Sequence, residues 1–254
     1  MIAYTQQGSG PALILIHGFC ESKEMWKTFA ADLSTNHTVY CPDLPGFGES
    51  PLADHHISME KAAVSLQEWI EEQGISNPIV IGHSLGGYVT LALAELMDHG
   101  LKAIGLFHST AFPDDEEKKH NRNKTIEFIK KHGVDKFVES FVPPLFSEQH
   151  RAEQNGQIAE LIQFGKKSSK NGMITFTAAM RDRKDRFELW KTFPFPKLMI
   201  AGELDTAVKI EASRKHQPYA MHYHELIGTG HMGMFEETDT TLQIIKNFLK
   251  DVEK

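Results

Sequence analysis

Six short apolar runs, each followed by a turn and most of them by a helical stretch, constrain this chain more than any other feature. They fall at residues 13–16, 38–41, 79–81, 103–107, 197–201 and 222–226. Helical patterns follow at 25–33 and 86–97, and a last one at 239–249 places Leu242, Ile245 and Leu249 on one face. Near-continuous apolar strands alternating with helices indicate an α/β fold, a mostly parallel sheet of seven or eight strands covered on both faces. Binding sites on such sheets lie beyond the carboxyl ends of the strands.

One stretch breaks the alternation. From 113 to 188 there is no strand-like run, only helical patterns with 15 Lys and Arg against 13 Asp and Glu. The expected organisation is therefore a core of residues 1–112 and 189–254, with 113–188 as a helical lid above the strand ends. Phe137, Phe141, Leu145, Phe146, Phe164 and Phe176 are candidates for its underside, with Phe141 and Phe146 expected in the substrate pocket. The lid is expected to select substrate without contributing to the chemical step.

The net charge of −7 over 254 residues argues against a nucleic-acid partner. No apolar run approaches the ~20 residues of a membrane span. Met1 leads into Ile2-Ala3-Tyr4 without a basic and then apolar leader, and Cys20 and Cys41 are too few for a disulfide framework. A cytoplasmic location is the expectation, with both cysteines buried as small apolar residues.

Gly82-His83-Ser84-Leu85-Gly86 follows the run at 79–81 and opens a helix. In that context G-x-S-x-G reads as a nucleophile elbow, a turn too tight for side chains beside the serine. A serine hydroxyl needs a base. Of the 14 histidines, His231 sits in Gly228-Thr229-Gly230-His231-Met232, a loop after the last strand. His83 and His17 are expected to be structural, and His108, at a strand end, is expected to line the pocket. The acid should follow another strand, and Asp205 in Gly202-Glu203-Leu204-Asp205 is favoured over Glu203, which comes too soon. Backbone N–H groups of Phe19 and Leu85 are the expected oxyanion hole. No metal or cofactor is expected, and His222 and His224 read as surface residues.

His17-Gly18-Phe19, Asp43-Leu44-Pro45-Gly46-Phe47-Gly48-Glu49-Ser50, Gly82-His83-Ser84-Leu85-Gly86-Gly87, Gly202-Glu203-Leu204-Asp205 and Gly230-His231-Met232 together resemble the α/β-hydrolase superfamily. The resemblance spans nearly the whole chain outside 113–188. It implies the same roles for Ser84, Asp205, His231, Phe19 and Leu85, and makes the loop at 43–46 structural. The chain begins where such proteins usually have their second strand, which favours seven strands. Cys20 departs from the small or polar residue expected after Phe19.

Fold does not give function. Serine rather than aspartate at the elbow argues against dehalogenase and epoxide hydrolase chemistry. The expected reaction is hydrolysis of a small-molecule carboxylic ester, with a short or medium, mainly apolar acyl group, through an acyl-enzyme. Thioester or C–C bond hydrolysis are alternatives. A further alternative is a ligand sensor that retains its triad and signals through the lid to a protein partner.

Overall fold

The computed structural model describes residues 1–52 and 56–254. It contains the strands β1 (Tyr4–Gln7), β2 (Ala12–Ile16), β3 (Thr38–Pro42), β4 (Ile79–His83), β5 (Ala103–Phe107), β6 (Lys197–Gly202) and β7 (His222–Leu226). They form one sheet of seven strands in the order β1-β3-β2-β4-β5-β6-β7, with only β1 antiparallel to its neighbour. The helices are α1 (Lys27–Leu33), α2 (Met59–Glu72), α3 (Leu85–Met97), α4 (Glu116–His132), α5 (Val134–Phe141), α6 (Asn155–Lys166), α7 (Lys170–Arg181), α8 (Phe187–Thr192), α9 (Ile210–Arg214), α10 (Gly233–Glu236) and α11 (Thr238–Val252).

The central strands are apolar along both faces because both faces are covered; every residue of β4, β5 and β6 is buried. Helix α3 is buried along most of its length, which matches its unbroken run from Leu85 to Ala94. Helix α2 buries Ala62, Ala63, Leu66, Trp69 and Ile70 on one face and is capped by Ser58, whose hydroxyl accepts from Lys61 N.

After β2 the chain steps outward to β3 and then returns to β4 on the other side of β2. That reversal makes the carboxyl ends of β2 and β4 a topological switch point, the place where open parallel sheets bind ligands.

Helices α4 to α7 lie between β5 and β6, with no strand among the described residues of that stretch. Its two ends are tied to each other. Buried Asp114 accepts from Arg183 Nη1 at 2.6 Å and Arg122 Nε at 3.0 Å, and Arg186 N donates to Ala111 O at 2.9 Å. No helix among the described residues is long and apolar enough to cross a membrane. Cys20 and Cys41 are both buried and unbridged.

Candidate active site

Ser84 follows β4 and stands at the N-cap position of α3 in a strained conformation, φ 49° and ψ −114°. The strain is held from several sides. Ser84 N donates to Phe107 O at 3.0 Å, and Ser84 O accepts from Ser109 Oγ at 2.7 Å and Gly87 N at 3.0 Å. A Cβ on Gly82 would sit 2.3 Å from the Gly86 backbone, and one on Gly86 2.5 Å from Ile16 O, so the turn closes only with glycine at both positions. Ser84 is half-buried while both its neighbours are buried, so the turn presents this one residue outward.

His231 and Asp205 meet from different loops. His231 Nδ1 lies 2.7 Å from Asp205 Oδ2, and Asp205 Oδ1 accepts from Ala207 N at 2.8 Å and Val208 N at 2.9 Å. Burial disfavours the Asp205 carboxylate, but the charge and hydrogen bonds of His231 and His108 outweigh it and hold the acid well below the usual carboxylate range. Burial likewise opposes a charged His231, and the Asp205 carboxylate outweighs it, so the His231 pKa is raised above its ordinary 6.5. Glu203, the rival acid, is exposed and accepts from Gly228 N at 2.8 Å instead.

The loop bearing His231 is fastened on three sides. His231 N donates to Leu145 O at 2.7 Å, and His231 O accepts from His83 Nε2 at 3.0 Å. Buried Glu236 accepts from Gly230 N at 3.0 Å and Met232 N at 3.2 Å, and also from Ser147 N at 3.0 Å. Leu145 and Ser147 belong to the stretch between β5 and β6. Part of this stretch is thus hydrogen-bonded to the loop that carries His231.

His83 is structural as expected, and its ring joins two loops. Its Nδ1 lies 3.0 Å from Glu21 Oε2, which also accepts from Gly18 N. The Gly18–Phe19 turn after β2 is thus bound to the elbow and, through His83 Nε2, to the backbone of His231. Burial disfavours the Glu21 carboxylate, but its interactions with His83, His17 and Gly18 N prevail and its pKa is lowered. His17 Nδ1 donates to Gly18 O at 2.8 Å while Nε2 accepts from Leu44 N at 2.9 Å. Asp43 accepts from Lys23 N and Nζ and from Glu49 N, an internal scaffold of the loop.

The aromatic candidates separate. Phe141 is half-buried, its ring 5.9 Å from Phe19 and 5.1 Å from Phe137. Phe146 is only 1% exposed and packs 6.2 Å from Phe235, two residues beyond the start of α10. It is a core residue behind the His231 loop rather than a pocket wall. His108 is also 1% exposed, with its nitrogens turned toward Asp205 and Gly233 rather than toward open space, so the expected pocket role does not fit its placement. His222 and His224, expected on the surface, are half-buried on the edge strand β7, where His222 Nε2 lies 3.1 Å from Asp251 Oδ2.

His108, Asp205 and His231 bring atoms that could ligate a metal within 4.8 Å of one another. Their contacts have a simpler account, since 2.7 Å is the length of a charge-assisted hydrogen bond.

The family model described as "Alpha/beta hydrolase family" matches residues 13–243. The chain belongs to this family. It is 26% identical to Lipase 1 of Psychrobacter immobilis over 271 aligned residues, covering 99% of this chain and 81% of the lipase. Other relatives match over a part only: an uncharacterized Mycobacterium tuberculosis protein at 37% identity, covering 36% of this chain and 27% of that protein, and a fluoroacetate dehalogenase of Burkholderia at 37%, covering 39% and 34%. Among solved structures, a thermophilic esterase of Thermogutta terrifontis superposes with a TM-score of 0.94 at 26% identity, covering 100% of this chain and 94% of the esterase. An enol-lactonase of Burkholderia xenovorans, at 20% identity and a TM-score of 0.90, covers 98% and 96% and shares the fold.

Proposed function

We propose that the protein hydrolyses carboxylic esters by acyl transfer to Ser84, with His231 as the base and Asp205 as the acid that orients it. The observation that carries this reading is the 2.7 Å contact between His231 Nδ1 and Asp205 Oδ2. It puts the proton on Nδ1 and leaves Nε2 as the basic nitrogen, the tautomer that a serine nucleophile requires. The rings of His231 and His83 lie 4.9 Å apart, and this proximity of His231 to the residue preceding Ser84 supports the reading. Attack by Ser84 Oγ on the ester carbonyl passes its proton to His231 Nε2, and His231 then protonates the departing alkoxide. Water, deprotonated by the same nitrogen, then attacks the acyl carbon; the C–O bond to Ser84 breaks, His231 returns the proton to Ser84 Oγ, and the carboxylic acid leaves. Phe19 N at the end of β2 and Leu85 N at the start of α3 are assigned to the oxyanion, where the helix N-terminus also favours negative charge.

The test is turnover of short p-nitrophenyl esters, with and without overnight EDTA. Steady hydrolysis that survives EDTA supports the mechanism. Loss restored by zinc or manganese overturns it, and stoichiometric binding with negligible turnover favours a sensor.

Because His231 must be neutral to accept a proton, kcat/KM should fall as pH drops and should hold at higher pH. The raised His231 pKa puts the midpoint of that fall above 6.5. A midpoint at or below 6 in a pH–rate profile contradicts the assignment of the base.

The stretch 113–188 is assigned as the lid that sets acyl specificity, on the packing of Phe141 against Phe19. Phe141→Ala should change relative kcat/KM among acyl chain lengths by roughly 10- to 200-fold at most. Phe146→Ala should act on stability instead, costing about 3–5 kcal/mol as a buried Phe truncation. Chain-length profiles and melting curves of the two variants separate these effects.

A further inference from the structure

The carboxyl end of β5 brings a second imidazole against the acid. His108 adopts φ 48°, rare for a residue with a side chain, while its N–H still donates to Ile200 O at 2.8 Å. The ring stacks on Phe107 with centroids 5.1 Å apart and planes at 24°. On its other side it meets α10, where Gly233 N donates to Nε2 at 3.1 Å. A Cβ at position 233 would lie 2.5 Å from Nε2, so the start of α10 is left bare for this ring.

Those contacts settle the tautomer. Nε2 accepts, so the proton of a neutral ring resides on Nδ1. That atom lies 3.4 Å from Asp205 Oδ2 and makes no hydrogen bond among the described residues. Burial opposes a charge on this ring and outweighs the pull of Asp205, taking the pKa down to about 4.

We propose that His108 is a positioning residue of the triad, a neutral imidazole whose otherwise unpartnered Nδ1–H, beside Asp205 Oδ2, draws on the charge that acts on His231 and tempers the basicity of His231. This rests on the serine hydrolase reading above. The oxygen that His231 contacts at 2.7 Å also lies 3.4 Å from His108 Nδ1, while the other oxygen is held by Ala207 and Val208. Without the His108 donor, the whole charge of Oδ2 acts on His231, the imidazolium gains stability, and less neutral base remains near pH 7.

The other groups that face His231 are Glu21 from the loop after β2, His83 at the end of β4, and Glu236 from α10, with His150 against Glu236. They stay in place when position 108 changes. A shift in titration on substitution there therefore reports the shared acid.

The experiment compares His108→Gln with His108→Asn. Glutamine can still accept from Gly233 N but carries no donor where Nδ1 stood. Asparagine tolerates positive φ and restores a short donor toward Asp205. In wild-type protein, ¹⁵N-histidine NMR should show His108 with the proton on Nδ1 and no titration between about pH 5 and 9. In His108→Gln the acid limb of kcat/KM should move up by about half to one pH unit, with kcat near pH 7 down several-fold and KM unchanged. His108→Asn should bring the limb back toward wild type.

A His108 proton on Nε2, or titration near pH 6.5, overturns the proposal. So does a change confined to KM in His108→Gln, which returns His108 to the pocket. If no ester is turned over, the ester reading fails. The ¹⁵N titration midpoint of His231 in wild type and variant still decides the shared acid without any substrate. Should His108→Gln not fold, the wild-type tautomer still decides.

Discussion

Ser84→Ala is expected to lower kcat for ester hydrolysis by about 10⁴- to 10⁶-fold, because triad members act as a unit and the remaining binding contacts rescue little. The same variant should lose all labelling by a fluorophosphonate probe that labels the wild type. The substitution is a clean one. Alanine keeps a Cβ, so the strain at φ 49° and ψ −114° is unchanged, and the bonds that hold the elbow are made by the Ser84 backbone N and O. The melting temperature should therefore stay close to wild type while activity collapses. Ser84→Gly provides the converse. It removes the Cβ that makes this conformation costly, of order 1–3 kcal/mol, and should be equally inactive yet more stable. Labelling that persists in Ser84→Ala would mean that another nucleophile reacts, and the mechanism would fall.

What the sequence made legible follows from what sequence periodicity can encode. The runs that became β4, β5 and β6 are the plainest, because strands covered on both faces must be apolar throughout, and that leaves a mark. β1 left none. Tyr4-Thr5-Gln6-Gln7 is a half-exposed edge strand, and its place is set by pairing with β3, where Tyr4 lies opposite Pro42. Helix α2 has an amphipathic pattern and a Ser58 cap, both of which are written in its sequence.

The site divides along similar lines. Ser84 and His231 are readable because loop position at a strand end determines what each can reach. The proposed acid is readable to within two residues, and Asp205 and Glu203 differ in burial and in partner. The supports were not legible, since each bond joins positions far apart in the chain. Glu21 reaches His83 across 62 residues, and Glu236 reaches Ser147 across 89. Carboxylates three residues after Gly18 and five after His231 were the available hints, and acidic residues near loops are too common to mark a buried partner. His108 shows the limit most plainly. Its strand-end position implies that it lines the pocket, but at φ 48° the buried ring lies against Asp205 instead.

Asp205→Asn is the second change with a large expected effect, about 10⁴-fold in kcat, and the structure supplies the reason. The carboxamide that replaces the carboxylate can keep its oxygen in only one place without penalty. Ala207 N and Val208 N both donate to Oδ1, so the amide oxygen stays there and the NH₂ takes the position of Oδ2. That NH₂ then points at His231 Nδ1, 2.7 Å away in the native contact, and forces it to accept. The proton of His231 moves to Nε2, the nitrogen that has to receive the Ser84 proton. The same NH₂ also meets the Nδ1–H of His108, donor against donor. Asp205→Asn should therefore fold, bind substrate with little change in KM, and label slowly with the fluorophosphonate. Glu203→Gln, at an exposed position whose contact is to Gly228 N, should stay within a few-fold of wild type because it removes only a surface interaction. The deciding measurement is kcat for the two variants side by side. Equal losses, or a larger loss in Glu203→Gln, would transfer the orienting role to Glu203 and overturn the reading of the site.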